Sequence, residues 1–218
     1  MKKPEICAAV VNDDVAAVKR IEPLVDLFEL RIDLIGEGWR EVAKALAKPW
    51  LACNRRKAEG GGWKGSEEAR ITELLNALEL KPAIVDIELA SDRLAEIIPL
   101  IKKKAQCLIS HHDFKKTPSL DELKTIVRKQ VAAGADICKV VTTAKRFADN
   151  LTVLQLIPAF PEARIVSFAM GPLGYVSRVL SPLAGGEFIY ASIQTGRESA
   201  PGQITVTDLR RLYEVLKQ

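Results

Sequence analysis

The chain has 218 residues, 48% of them hydrophobic and 28% charged, which is enough for one full core but not for two generous domains. Lysine and arginine total 32 against 28 acidic residues, and the basic side chains are scattered rather than clustered with aromatic ones, so nucleic-acid binding is not expected. No apolar run is long enough to cross a bilayer, and the first residues reach Asp13 and Asp14 before a signal-peptide core would fit, so no membrane contact is expected.

Short β-rich runs alternate with amphipathic stretches of helical period along the whole chain. The predicted strands are residues 6–11, 27–33, 50–55, 83–89, 106–112, 137–142, 164–170 and 188–193. The predicted helices are residues 14–24, 39–47, 66–80, 91–104, 120–133, 145–159, 175–183 and 206–217. Eight strand–helix repeats predict an α/β fold, a single (β/α)8 (TIM) barrel domain over residues 1–218, with an open doubly wound sheet as the alternative. Ser91, Ser119 and Thr205 have the chemistry of helix N-caps.

The four cysteines each fall within a predicted strand: Cys7, Cys53, Cys107 and Cys138. They are far apart in sequence and lack the spacing of metal ligands. Free cysteine is most often buried, so this pattern is typical of reduced, buried thiols and indicates a cytoplasmic protein.

Charged residues occupy one face of the second strand. Glu29, Arg31 and Asp33 share one parity, whereas the residues between them are apolar, so in a barrel the charged face would point inward. Charges in a barrel interior are costly unless they are paired or used in function, and Asp86 and Glu88 on strand four are expected partners for the cations. A half-exposed antiparallel strand would show the same alternation at no cost, and this alternative stays open.

The active face of a barrel lies at the carboxyl ends of its strands, where two further polar segments occur. Strand three runs into Arg55, Glu59 and a triple glycine, although an ordinary solvated loop would explain that segment alone. Strand five ends in His111 and His112, the only histidines of the chain. Adjacent strand residues face opposite ways, so at most one of the two is expected to enter the barrel mouth, where it would transfer protons.

Strand six places Lys139 in the middle of an apolar run. Burial disfavours the ammonium form and leaves an amine able to attack a carbonyl carbon, which imine catalysis requires. A snorkelling or ion-paired structural lysine is the alternative.

Polar groups also follow the last two strands. The planar guanidinium of Arg178 is suited to a substrate carboxylate, and Ser199 and Gln203 lie in a loop short enough to close over a ligand. Each signal is weak alone, because an exposed helix arginine and an ordinary turn would explain them separately.

Taken in order, these segments resemble the type I 3-dehydroquinate dehydratase family over essentially the whole chain. The resemblance rests on ELRID (29–33), Arg55 with Glu59-Gly60-Gly61, SHHDF (110–114) before Thr117-Pro118, ADICK (135–139), Ser177-Arg178 and SAPGQ (199–203). It implies a cytoplasmic hydro-lyase that converts 3-dehydroquinate to 3-dehydroshikimate in the shikimate pathway, with no metal or cofactor.

The resemblance also implies a role for each candidate residue. Lys139 would form a Schiff base with the C3 ketone, while His112, tuned by Glu59, would remove the C2 proton and assist departure of the C1 hydroxyl. Arg178 would hold the substrate carboxylate. The remaining substrate-binding residues would be Glu29, Arg31, Arg55, Ser199 and Gln203.

Two departures from the family pattern and two rival functions remain. His111 stands where many relatives carry asparagine, and the chain begins almost at the first strand, whereas some relatives have an additional hairpin that closes the barrel floor. One rival function is another class I Schiff-base barrel, such as an aldolase, although no glycine-rich phosphate site follows strands seven and eight. The other is a sensor that binds dehydroquinate without turnover. An exposed helical face is compatible with a homodimer.

Overall fold

The computed structural model describes residues 3–216 and contains eight parallel β-strands joined by helices. The strands are β1 (Ile6–Val10), β2 (Leu27–Arg31), β3 (Trp50–Cys53), β4 (Ile84–Glu88), β5 (Gln106–His112), β6 (Ile137–Thr143), β7 (Ile165–Met170) and β8 (Ile189–Ser192). The helices are α1 (Val15–Ile21), α2 (Ile32–Ile35), α3 (Trp39–Ala45), α4 (Glu67–Asn76), α5 (Leu94–Lys102), α6 (Leu120–Ala132), α7 (Asp149–Leu154), α8 (Leu156–Ala159), α9 (Tyr175–Leu180) and α10 (Val206–Val215).

The sheet runs in the order β7-β6-β5-β4-β3-β2-β1-β8, which brings the first strand beside the last. At the remaining seam, the backbone N–H of Glu187, just before β8, donates to the carbonyl of Ile165 in β7 at 2.8 Å. The strands therefore form a nearly closed barrel, and the predicted (β/α)8 architecture is confirmed. Within residues 3–216, no helix is long and apolar enough to cross a membrane.

The barrel has an apolar outer layer and a polar interior. Phe28 and Leu30 on β2 are fully buried in the apolar layer that includes Trp39 and Val42 of α3. Glu29, with the opposite parity, is only 3% exposed and points into the barrel. The inward placement is thus confirmed for Glu29 and Arg31, and the antiparallel alternative is wrong.

Several predicted boundaries differ from the observed ones. Strand two ends at Arg31, because the next residues turn into α2, so Asp33 lies on a helix. The predicted helix 145–159 begins only at Asp149, whose carboxylate accepts the N–H groups of Lys145 and Arg146. That helix also divides into α7 and α8, where Pro158 has no N–H to bond the preceding turn.

The N-cap predictions have mixed outcomes. Ser119 forms a capping box with Glu122, and the Thr205 hydroxyl accepts the N–H of Asp208, so both are confirmed. Ser91 as an N-cap is wrong, because α5 starts only after Arg93 and the Ser91 hydroxyl donates to Glu88 instead. The predicted end of the last helix at Lys217 lies outside the described residues. The four cysteines are free and buried, as expected.

Candidate active site

Lys139 lies in the middle of β6 with its amine inside the barrel and only 4% of the residue exposed. Its Nζ atom is 3.0 Å from Oδ2 of Asp86 and 3.6 Å from Oε1 of Glu29. The expected apolar surroundings exist only for its neighbours in sequence, Cys138 and Val140, which face the outer layer. The amine is therefore buried among charges rather than among aliphatic groups.

Asp86 connects this amine to Arg55. A nitrogen of Arg55 lies 2.5 Å from Oδ2 of Asp86, and Ser110 donates to Oδ1 at 2.6 Å. Burial alone would raise the pKa of Asp86, but Arg55 and Lys139 hold it well below its usual range. Asp86 is thus a carboxylate shared by two cations, and Arg55 also approaches Glu88 at 3.3 Å. The predicted pairing of strand-four carboxylates with the cations is confirmed.

His112 and Glu59 form a hydrogen-bonded pair, with 2.8 Å between Nδ1 and Oε2. Glu59 follows β3 in a single turn of helix, Lys57–Glu59, which brings its carboxyl to the end of β5. Burial raises the pKa of Glu59 to about 7, with Arg55 opposing the shift and Glu88 adding to it. Burial, with Arg55 and Lys139, holds the pKa of His112 well below its usual value, so the imidazole is neutral. Such a pair has the groups needed to take up a proton near neutral pH.

His111 faces away from this pair. It is half-buried, it does not line the cavity described below, and burial lowers its pKa against the opposing effect of Asp113. The opposite orientations of successive strand residues account for the difference. Of the two histidines, His112 is the one at the barrel mouth.

Arg178 is a buried cation without a carboxylate partner among the described residues. Its guanidinium lies 4.4 Å from the centre of the Phe168 ring and donates to the carbonyl of Pro201 at 3.2 Å, while Nε has no hydrogen-bond partner in the described part of the chain. Burial lowers its pKa to about 10, so it stays charged at neutral pH. An unpaired buried cation with a free donor is suited to bind an anion.

The predicted closing loop lies beside Arg178. Oε1 of Gln203 accepts hydrogen bonds from the backbone N–H and the hydroxyl of Ser199, at 2.8 and 3.2 Å. This contact holds the two residues together at the wall of the cavity.

One cavity of about 130 Å³ at the barrel mouth brings the predicted residues together. Its lining includes Glu29, Arg31, Arg55, Glu59, His112, Lys139, Arg178, Ser199 and Gln203, so all nine predicted site residues lie along it. A lysine amine, a histidine–carboxyl pair and an unpaired cation therefore share one small volume. These groups suit a substrate that carries a ketone and a carboxylate.

Comparison with known proteins agrees with this arrangement. The sequence profile described as type I 3-dehydroquinase matches residues 6–218. A 3-dehydroquinate dehydratase from Dehalococcoides mccartyi is 43% identical over 214 residues, covering 98% of this chain and 96% of the relative. The chain belongs to the type I 3-dehydroquinase family. The prediction of a hydro-lyase enzyme is thereby confirmed.

Two further relatives show the same relationship. The 3-dehydroquinate dehydratase of Methanocaldococcus jannaschii is 36% identical, with 97% of this chain and 98% of the relative covered. The crystal structure of the enzyme from Geobacillus kaustophilus superimposes with a TM-score of 0.85 at 30% identity, covering 99% of this chain and 92% of that one. The coverage of both sequences in each comparison shows that the chain spans nearly the full length of these relatives.

Eight residues that line the cavity were not among the predicted site residues, and three of them lie on the last two strands. Tyr190, Phe168 and Met170 line the cavity from β8 and β7. Aromatic and aliphatic residues are common in any buried strand, so their sequence carries no functional signal. Only the inward parity of Tyr190 and Phe168 in their strands would have suggested a place inside the barrel.

The arrangement closest to a metal site within residues 3–216 is formed by Glu29, Cys53 and Asp86. Asp86 is already bound by Arg55 and Lys139, and burial raises the pKa of Cys53 well above its usual value, which keeps it a thiol. Metal binding needs deprotonated ligands, so this group is poorly suited to hold an ion. A reaction without metal or cofactor stays a prediction.

Proposed function

We propose that this protein is a 3-dehydroquinate dehydratase that eliminates water from 3-dehydroquinate through a Schiff base at Lys139. Family membership supports the reaction. The placement of the Lys139 amine in the same cavity as the His112–Glu59 pair supports the mechanism, and it is the observation that carries the proposal.

The first step is attack of the Lys139 amine on the C3 ketone, which forms a carbinolamine that loses water to give an iminium. The iminium draws electrons from the neighbouring carbon and makes the C2 proton acidic. His112 takes that proton, and the resulting enamine expels the C1 hydroxyl, which leaves as water with a proton from His112. Hydrolysis of the conjugated iminium releases 3-dehydroshikimate and restores the amine.

Glu59 sets the state of His112 in this scheme. When the glutamate is ionised, it accepts the Nδ1–H of the imidazole, and the lone pair at Nε2 is then free to accept the C2 proton. When the glutamate is protonated, it donates to Nδ1, and Nε2 carries the hydrogen instead. His112 is a base only in the first arrangement.

Substrate binding follows from the remaining charges. Arg178 holds the carboxylate, because it is the buried cation at the cavity that no described carboxylate neutralises. Ser199 and Gln203 close over the carboxylate end of the substrate. The ring hydroxyls contact Glu29, Arg31 and Arg55, or these three residues order the cavity wall beside the ring. Arg31 is fixed for this purpose by two hydrogen bonds to Asp33, at 2.9 and 2.6 Å.

Trapping the imine tests the proposal. Incubation with 3-dehydroquinate and borohydride is expected to add the ligand mass irreversibly to the peptide that contains Lys139, and Lys139→Met is expected to remove the adduct. Appearance of the enone absorbance without added metal is the companion measurement. An adduct on another lysine would contradict the mechanism, binding without enone formation would support the sensor, and cleavage of a carbon–carbon bond would support an aldolase.

The biological setting is part of the same proposal. We infer a role in the shikimate pathway and a cytoplasmic location, which the four buried free thiols support. We also propose one catalytic domain over residues 1–218 and a homodimer. Apolar side chains exposed on α9 and α10, including Tyr175, Leu212 and Val215, support such a pairing of like surfaces.

A further inference from the structure

The Lys139 amine has an aromatic contact in addition to its two carboxylates. Nζ lies 4.1 Å from the centre of the Tyr190 ring, over its face. Asp86 comes from β4 and Glu29 from β2, whereas Tyr190 comes from β8, the strand that closes the barrel. The ring face of an aromatic residue attracts a cation, and the attraction is stronger where water is excluded.

We propose that Tyr190 is a positioning residue for this enzyme, whose ring face holds the Lys139 nitrogen in the cavity and stabilises its positive charge in both the ammonium and the iminium forms. The inference rests on the proposed role of Lys139 and extends it to a residue outside the expected catalytic set.

The two kinds of contact respond differently to the reaction. A lysine ammonium has three N–H donors, whereas the protonated imine has one, so forming the imine removes donors from the pairing with Asp86 and Glu29. The ring requires only a nearby positive charge, which the iminium retains. Asp86 is moreover shared with Arg55, whereas no described cation other than Lys139 lies over the Tyr190 ring. The aromatic contact is therefore suited to persist while the ionic contacts weaken.

Packing, rather than the phenol hydroxyl, fixes the Tyr190 ring. Its edge meets Phe188 at 5.4 Å between ring centres, and Phe168 lies at 6.2 Å. The hydroxyl is buried and has no hydrogen-bond partner among the described residues. The hydroxyl is thus dispensable for this role, and phenylalanine at this position is expected to preserve it.

The direct test is the titration of Lys139 in the whole protein without substrate. Reductive methylation with formaldehyde and cyanoborohydride is run across pH, and the fraction of labelled Lys139 is read by peptide mass spectrometry. Removing the ring in Tyr190→Leu is expected to lower the pH midpoint of labelling by about half a unit or more, because the cation loses a stabilising contact. Tyr190→Phe is expected to stay close to the parent. Tyr190→Met serves if the leucine variant fails to fold.

Phe188→Leu is the matched control. It removes a ring that packs on the edge of Tyr190 and does not line the cavity, while Phe168 still packs on the Tyr190 ring, so it is expected to lower thermal stability and to move the midpoint much less than loss of the Tyr190 ring does. Lys103 is exposed and serves as an internal reference, because its labelling should depend on pH in the same way in every variant. Besides Tyr190, whose phenol burial keeps protonated by raising its pKa well above the usual value, the ionisable groups around Nζ are Glu29, Asp86, Arg55, His112 and Cys7, and all five are unchanged in these variants.

A midpoint in Tyr190→Leu or Tyr190→Met equal to that of Phe188→Leu would overturn the proposal. The assay uses no dehydroquinate, so its outcome is independent of imine trapping. A midpoint shift without a borohydride adduct would support the role of Tyr190 and contradict the Schiff base at Lys139. An adduct without a midpoint shift would support the Schiff base and contradict the role of Tyr190. With substrate, Tyr190→Leu is expected to lower kcat several-fold more than it changes KM, since the ring acts on the reacting nitrogen.

Discussion

His112 and Glu59 show how burial adjusts single residues for chemistry. Burial raises the pKa of the Glu59 carboxyl to about 7 and lowers the pKa of the His112 imidazole. The pair therefore gains or loses a proton near neutral pH. Their contact spans 53 positions in sequence, and neither shift follows from residue type. The consequence is a site whose protonation state depends on pH in the physiological range.

The turnover number is expected to rise with pH to a plateau, with a midpoint near 7. Below that pH Glu59 is protonated and leaves the hydrogen on Nε2 of His112, which then accepts no proton from C2. Glu59→Gln is expected to lower kcat and to remove the rise of kcat with pH. Enone absorbance, recorded from about pH 5.5 to 8.5, measures both proteins.

Unfolding measurements control for loss of structure in that variant. The folded-state pKa of Glu59 is raised above its ordinary value of 4.5 to about 7, so its contribution to stability is lost as the pH rises through this interval. Glu59→Gln should therefore be at least as stable as the parent at pH 8. A parent whose activity is flat between pH 6 and 8 would contradict the assignment of Glu59.

The two histidines provide a second test at this scale. His112→Ala is expected to reduce kcat by about a hundred-fold or more, the usual contribution of a general base. His111→Ala is expected to keep most of the activity, because that side chain lies outside the cavity. Comparable losses in steady-state assays of both variants would undo the assignment.

The loop after β3 shows how an element positions the site. Gly61 lets the chain turn back on itself, and a Cβ atom there would lie 1.8 Å from the carbonyl oxygen of Arg55. Gly60 has φ +78°, and its Cα faces the Phe114 ring that stacks near His112. The two glycines thus allow Glu59 to reach His112 while Arg55 keeps its place beside Asp86.

Gly61→Ala is expected to cost about 3 kcal/mol of stability and to lower kcat, because the backbone of Arg55 must move to admit the methyl group. Gly196→Ala is the control. Gly196 has φ +80° but open space around its Cα, so alanine there costs only about 1 kcal/mol of backbone strain. Chemical denaturation measures both. Equal costs would show that the contact with Arg55 is not the cause.

Helix α4 contributes to the site from outside the barrel. Arg70 is 1% exposed and lies 2.9 Å from Glu88, which in turn accepts the backbone N–H of Arg56. A guanidinium on an outer helix therefore neutralises a carboxylate of the barrel interior. Sequence reasoning missed Arg70, because a single arginine on an amphipathic helix has the appearance of a solvated residue.

The whole molecule carries an apolar surface on its last helices. Leu212, Val215 and Leu216 of the carboxyl-terminal region are 42, 68 and 49% exposed, beside Tyr175 and Leu180 of α9. Such a surface is typical of an interface, and two copies related by a twofold axis would cover each other's side chains.

Val215→Glu is expected to convert a dimer to monomers, measured by light scattering after gel filtration, because a charge would be buried in the interface. Leu100→Glu is the control, since Leu100 is 44% exposed on the distant helix α5 and should leave the dimer intact. A monomeric parent protein would overturn the homodimer.

Sequence by itself determined the features that depend on local order. The βα repeat predicts the barrel because parallel strands need helical crossovers, and the parity of Glu29 and Arg31 places them inside because strand side chains alternate. Motif resemblance determined the family and, with it, nine residues that the fold brings to one cavity. Helix boundaries were less predictable, as Ser91 shows, because its hydroxyl donates to Glu88 rather than capping a helix, and α5 begins only after Arg93.

Only the tertiary structure decided what depends on distances across the barrel. Closure of the sheet brings β8 beside β1 and places the Tyr190 ring against the Lys139 amine. These two residues are 51 positions apart in sequence. The same closure surrounds the lysine with carboxylates, although its own strand is apolar. Sequence specifies which side chains point inward, whereas their charge state and contacts depend on which strands face one another and on how much water the barrel excludes.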